Sequence, residues 1–106
     1  MIARTWHGVV RVEDADRYHA YLFETGVPGC RETPGNLGVR VLRRIDGSEA
    51  HFLFISFWES VDAIRAFAGD DIEQAHYYAE DRKYLLELEP TVTHYEVLEA
   101  PGSLRA

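Results

Sequence analysis

His76-Tyr77-Tyr78 is the densest run of groups able to do chemistry in this sequence. An imidazole beside two phenols can bind an oxyanion, relay a proton or clasp an aromatic ring. The structural alternative packs one tyrosine in the core and leaves the others at the surface. On a helix the three residues span about 200°, so they cannot all face inward. Trp6 and His7 form a second pair, and on a strand they point to opposite faces. Gly8 beside them leaves room for a ligand or a bulge. Tyr18 shares a helical face with Leu22 and points inward, where a phenol needs a partner. Tyr21 and Phe23 on the same helix read as core or cavity lining. His94 and Glu96 share a strand face without a third ligand at usable spacing, so no metal site is expected. Cys30, next to Arg31, could have a lowered pKa, but nothing pairs with it as a dyad. His19 and His51 read as surface residues, and Asp70-Asp71 and Glu80-Asp81 as helix caps or solvated acids. No phosphate-binding glycine loop, Ser-His-Asp set or dinucleotide motif is found.

The elements that must position these groups follow from periodicity and breakers. Met1 to Val12 is β-branched and aromatic and predicts a strand. Asp14 or Asp16 can cap a helix carrying Ala15, Tyr18 and Leu22, which Gly26 or Pro28-Gly29 ends or kinks. Thr33-Pro34-Gly35-Asn36 is a turn. Leu37 to Ile45 is a second strand, and Asp46-Gly47 signals a hairpin into a third, His51 to Trp58. Ser60 or Asp62 caps a helix with Val61, Ile64 and Phe67 that Gly69 stops. Further helical pieces are expected over Ile72–Ala79 and Asp81–Leu88, then a strand over Thr91–Leu98. The order β-α-β-β-α-β is the ferredoxin-like plan, an α+β fold with a four-stranded antiparallel sheet and helices on one face.

That plan leaves one sheet face uncovered. In the third strand Phe52, Phe54, Ser56 and Trp58 lie on one side and Leu53, Ile55 and Phe57 on the other, so both sides are apolar. A half-exposed antiparallel strand alternates apolar with polar residues instead. Leaving Leu53, Ile55 and Phe57 wet would forgo roughly 1.5–3 kcal/mol each. Packing against a second copy, sheet to sheet, removes the problem and predicts a homodimer.

Composition narrows the class further. The chain has 106 residues, 46% of them hydrophobic, which is one domain with a core. Eleven Lys and Arg against eighteen Asp and Glu give a net charge of −7, the wrong sign for a nucleic-acid binder. A single cysteine excludes an internal disulfide and fits a reducing cytoplasm. No signal peptide or membrane-spanning stretch is read, so a cytoplasmic protein with no nucleic-acid or membrane partner is expected.

With that element order, Trp58-Glu59-Ser60 closing the third strand and the run Ala63 to Gly69 after it, the chain resembles the antibiotic-biosynthesis-monooxygenase-like family of the dimeric α+β barrel superfamily. Glu89-Pro90 and His94-Tyr95-Glu96-Val97 fit the closing pattern. The resemblance covers residues 1–98 and leaves 99–106 as a tail. It implies one pocket per subunit, between sheet and helices, and cofactor-free oxygenation. In that chemistry an acidic phenol or anthrone loses a proton and its anion passes an electron to O₂. Trp58 coincides with the pocket tryptophan of the quinone-forming branch. That branch's asparagine four residues earlier is Phe54 here, its tyrosine six residues later is Ile64, and its arginine falls near Tyr78. The asparagine, tryptophan and iron-ligating histidine of the haem-degrading branch fall near Trp6, at Phe67 and at His76. By this analogy Trp6 faces the pocket with Arg4 and Gly8. His7 sits at the subunit interface, becoming a general base if a bulge shifts the strand's parity.

Three readings follow. The first is a homodimer that binds a small aromatic or polycyclic molecule, quinol- or anthrone-like, in a cavity lined by Trp6, Tyr18, Trp58, His76, Tyr77 and Tyr78, and oxidises it without a cofactor. The second is a non-enzymatic ligand-sensing or stress-related dimer, favoured by the apolar Phe54, Ile64 and Phe67. The third is a haem-binding protein using His76.

Overall fold

The computed structural model describes residues 1–99. Strand β1 runs Ile2–Arg11, and a single 3₁₀ turn, Val12–Asp14, leads into helix α1, Ala15–Glu24. The chain kinks at Thr25 and continues as helix α2, Gly26–Arg31. Strands β2 (Asn36–Asp46) and β3 (Glu49–Trp58) form a hairpin, followed by helix α3 (Val61–Ala68), a short helix α4 (Asp81–Tyr84) and strand β4 (Thr93–Glu96). The four strands make one antiparallel sheet in the order β2-β3-β1-β4. The helices pack on one face of it. The tail expected over 99–106 lies, apart from Glu99, outside the described residues.

Local chemistry explains most boundaries. Ser60 caps α3 by accepting a hydrogen bond from the Ala63 amide, and Gly69 ends that helix with φ of 90°. Asp14 makes no capping bond to α1, because its carboxylate pairs with Arg17 at 2.8 Å. The hairpin sits one residue later than Asp46-Gly47 suggests. Asp46 pairs with Glu49, so Gly47 and Ser48 are the central pair. Only Gly47 takes a positive φ, 59°, the pattern of a turn with glycine first.

Two expected elements are different. Ile72–Ala79 is not a helix, because its backbone groups find partners elsewhere. Arg4 takes the carbonyls of Ile72 and Gln74. The Ala75 amide donates to Pro90 and the Val92 amide to Glu73, so the segment runs extended beside residues 90–92. The second piece shrinks to the four residues of α4. There Leu85 turns extended to dock on Val10, and the Leu86 amide donates to the Val9 carbonyl. The last strand is likewise shorter than Thr91–Leu98.

The core lies between the helices and the even-numbered face of β3. Trp58, Tyr18, Phe52, Ile64 and Val10 are its largest fully buried side chains. On the opposite face Leu53, Ile55 and Phe57 are half-exposed, and Leu42, directly across from Leu53, is 50% exposed. The sheet is open on that side.

Candidate functional site

Strand register lays down the floor of the site. On the helix side of the sheet one row reads Ser56–Arg4–His94 across β3, β1 and β4, and the next pairs Phe54 with Trp6. Over these rows lies a cavity of about 60 Å³. Helices α1 and α2 wall it with Tyr18, Leu22, Thr25, Gly26 and Cys30, and Phe67 comes from α3. The extended segment supplies His76, Tyr77 and Tyr78 together. A helix could not have turned all three inward; a loop path does.

The phenols differ in what they are free to do. The Tyr18 hydroxyl donates to Asp81 at 2.9 Å, deep in the core. Tyr77 accepts from the Trp6 indole at 3.1 Å and donates to the Glu89 carbonyl at 2.5 Å. Tyr78 Oη and the His76 ring make no hydrogen bond to a described residue, and His76 packs edge-on against Tyr78 with centroids 4.9 Å apart. Burial pushes the pKa values of all three tyrosines up, and Asp81 reinforces this for Tyr18. All three therefore stay protonated near neutral pH. They are donors, not bases.

Arg4 is the polar centre of the floor and only 5% exposed. It donates to the Ile72 carbonyl, to the Gln74 carbonyl at 3.0 Å and to His94 Nε2 at 3.2 Å. A guanidinium cannot accept, so His94 carries its proton on Nδ1. Burial, and then the charge of Arg4, lowers the His94 pKa. Cys30 also meets the cavity. Its neighbour Arg31 does not activate it: burial pushes the thiol up to about 12, against the opposing pull of Ser56 and Arg4.

Two sequence candidates lie outside the cavity. Trp58 is fully buried one layer behind it, donating to Ser56 Oγ at 2.8 Å and packing on Phe67 at 5.6 Å. It therefore braces two lining residues and does not line the cavity itself. His7 faces the open side of the sheet, because β1 pairs with β3 without a bulge from Ile2 to Arg11. It contacts Glu89 at 2.6 Å and His51 at 3.0 Å. His51 is thus part of a histidine pair, not a free surface residue. Glu89 crosses the free edge of β1, its carboxylate on His7 and its carbonyl on Tyr77.

Trp6, Tyr18, Phe54, Phe67, His76, Tyr77 and Tyr78 do line the cavity. The space at Gly8 belongs to the protein: a Cβ there would sit 2.2 Å from the Trp6 ring. Arg4 was expected on the pocket side without a role of its own, and Ser56 and Asp81 were not foreseen as site residues. For Arg4 the signal was available, a lone charge on the strand face that also carries Trp6, Gly8 and Val10. Asp81 gave none; it reads as an ordinary helix-start acid, yet it is buried between the Tyr18 hydroxyl and the Tyr78 amide.

Solved structures of similar fold include the haem-degrader MhuD from Mycobacterium tuberculosis with two haems bound in its active site. That match has a TM-score of 0.61 and 21% identity, and it covers 96% of this chain and 100% of the other. A mutant MhuD with two manganese protoporphyrin IX molecules per active site matches at TM-score 0.61 and 20% identity, covering 96% and 99%. At such identities the likeness is one of fold. No curated protein matches the sequence. A sequence profile of the family described as antibiotic biosynthesis monooxygenase matches residues 9–78, well over half of the chain. That span includes both cavity-walling helices of the first half, all of β2 and β3, and the His76-Tyr77-Tyr78 triplet, so this chain belongs to the antibiotic biosynthesis monooxygenase family.

Proposed function

We propose that this protein is a homodimer that binds a small aromatic compound between its sheet and helices and oxidises it with O₂ without a cofactor. The observation that carries the reading is the cavity. It has aromatic walls in Trp6, Phe54 and Phe67, a buried cation in Arg4, and a rim residue, His76, whose ring is exposed and unbonded to any described residue. An acidic phenol or an anthrone would lose its proton to His76, the one histidine on the cavity wall among the described residues, since the tyrosines are held protonated. Arg4 and the Tyr78 hydroxyl would hold the resulting oxyanion. The anion then reduces O₂ through the substrate's own chemistry. For an anthrone the balance is a ring CH₂ plus O₂ giving a ring carbonyl plus water.

The cavity is smaller than the roughly 150 Å³ that holds a benzene-sized guest. Entry therefore displaces the rim, where His76 and Tyr78 are not anchored by side-chain hydrogen bonds. The same volume favours a second reading, a dimeric module whose chamber is filled by Phe54 and Phe67 and turns nothing over. Oxygen uptake with anthrone and quinol compounds separates the two. Protein-dependent uptake lost in His76→Ala supports the oxygenase, and uptake equal to the protein-free rate selects the filled module. A haem is many times larger than 60 Å³, and with Phe67 and Tyr78 packed on either side of His76 it would require a wider opening of the same rim than a small aromatic does. A Soret shift on haem titration that vanishes in His76→Ala would support haem as the ligand, and no shift, or one unaffected by that change, would remove it.

The dimer reading rests on the open sheet face. Leu53, Ile55, Phe57 and Leu42 form one apolar surface there, flanked by Tyr95, which is 58% exposed. A patch of this kind marks an association surface.

A further inference from the structure

One buried positive charge has no negative partner among the described residues. The arginines Arg17, Arg43, Arg44 and Arg65 each pair with an aspartate at the surface. Arg4, buried on the cavity floor, forms no ion pair with any described carboxylate, although acids outnumber bases in the chain by eighteen to eleven. Asp81 is the one acid lining the cavity among the described residues, and its oxygens are committed to the Tyr18 hydroxyl and the Tyr78 amide. The partners of Arg4 are two carbonyls and a neutral imidazole nitrogen, all uncharged. Those bonds occupy both hydrogens of Nη1 and one of Nη2. The Nε hydrogen and the second Nη2 hydrogen have no partner among the described residues. These two nitrogens share the edge of the guanidinium that forms paired bonds to a carboxylate. Burying an unpaired charge is costly, and carbonyl dipoles do not neutralise it.

We propose that the cavity ligand supplies the missing anion: a flat aromatic compound bearing an anionic oxygen, carboxylate or ionised phenol, bonded to Arg4, with its ring against Trp6, Phe54 and Phe67. This assignment rests on the reading of the cavity as a ligand site and names the class of molecule that site takes. Anionic oxygen is the shared chemistry, and the two sources differ in geometry. A carboxylate uses both free donors at once, whereas a phenolate uses one of them and leaves the Tyr78 hydroxyl to supply a second bond.

The test is calorimetric titration of the native protein at neutral pH with benzoate, 4-nitrophenolate and the neutral benzyl alcohol. At least one anion is expected to bind tenfold or more tightly than benzyl alcohol, and the stronger of the two identifies the source. Arg4→Gln should abolish that preference and Arg4→Lys should keep part of it, because Lys retains the charge without the fork. The comparison of ligands on the native protein stands even if an Arg4 variant fails to fold. Benzyl alcohol binding as tightly as both anions would overturn the assignment while leaving a ligand site in place. Binding by none of the three would overturn the assignment together with the cavity reading beneath it.

Discussion

Burial decides which residues of the cavity can do chemistry. Tyr18, Tyr77 and Tyr78 have raised pKa values, and two of the three hydroxyls are already engaged within the protein. Cys30 is likewise held as a thiol. Because the thiolate is the nucleophile, iodoacetamide at neutral pH should leave Cys30 unmodified in the folded protein and alkylate it in denaturant; rapid labelling of the native state would show the thiol to be activated. His94 gives a pH signature. Its folded pKa is depressed, so below about pH 6.5 the unfolded chain binds a proton that the folded one resists. Stability is therefore full above that value and declines as the pH falls through it. Denaturant unfolding between about pH 7 and 5 should show a smaller loss in His94→Gln than in the native protein, and equal losses would refute the assignment.

At the scale of elements, the segment 70–80 matters most. Read locally, it looks helical, with two aspartates at its start and apolar residues behind them. Its backbone is instead claimed by Arg4, which is 68 residues from Ile72 in sequence, and by residues 90–92. No local pattern reveals such partners. The strands, the Ser60 cap and the Gly69 stop were legible because their causes are local: alternation, a side-chain acceptor, a positive φ. Parity set Trp6 and His7 on opposite faces of β1 without saying which turns to the cavity, and the depth of Trp58 was not legible either, since parity says nothing of depth. Gly29 of α2 lets Tyr78 close over the cavity; a Cβ there would lie 2.3 Å from the Tyr78 hydroxyl oxygen. Gly29→Ala should keep or raise the stability of α2, by up to about 1 kcal/mol, while driving Tyr78 outward. The check pairs a melting curve with 4-nitrophenolate titration. An unchanged or raised melting temperature with altered affinity is expected, and a large loss of stability would show that Tyr78 cannot move.

The whole molecule presents two faces of different character. One is covered by helices and holds the cavity, and the other exposes an apolar strip across β2 and β3. That second face was legible in the failure of β3 to alternate, because a strand with one wet side ordinarily carries polar residues there. Sedimentation equilibrium should give twice the chain mass at micromolar concentration, and Ile55→Lys on the centre of the strip should give the monomer with its fold intact by circular dichroism. A native monomer would show that the apolar strip is not a self-association surface. The two faces meet at the free edge of β1, where Glu89 holds His7 on one side and Tyr77 on the other.

Entry of a small aromatic anion into the space between sheet and helices can be followed residue by residue. The chain has two tryptophans; Trp6 lines the cavity, and Trp58 is buried behind it. In a nitrogen–proton correlation spectrum their indole signals can be assigned with Trp→Phe variants and followed as benzoate or 4-nitrophenolate is added. The Trp6 indole and the Tyr78 amide are expected to shift in step with saturation while the Trp58 indole moves far less. Shifts confined to Leu53, Ile55 and Phe57 on the open face, or none at saturating ligand, would contradict it.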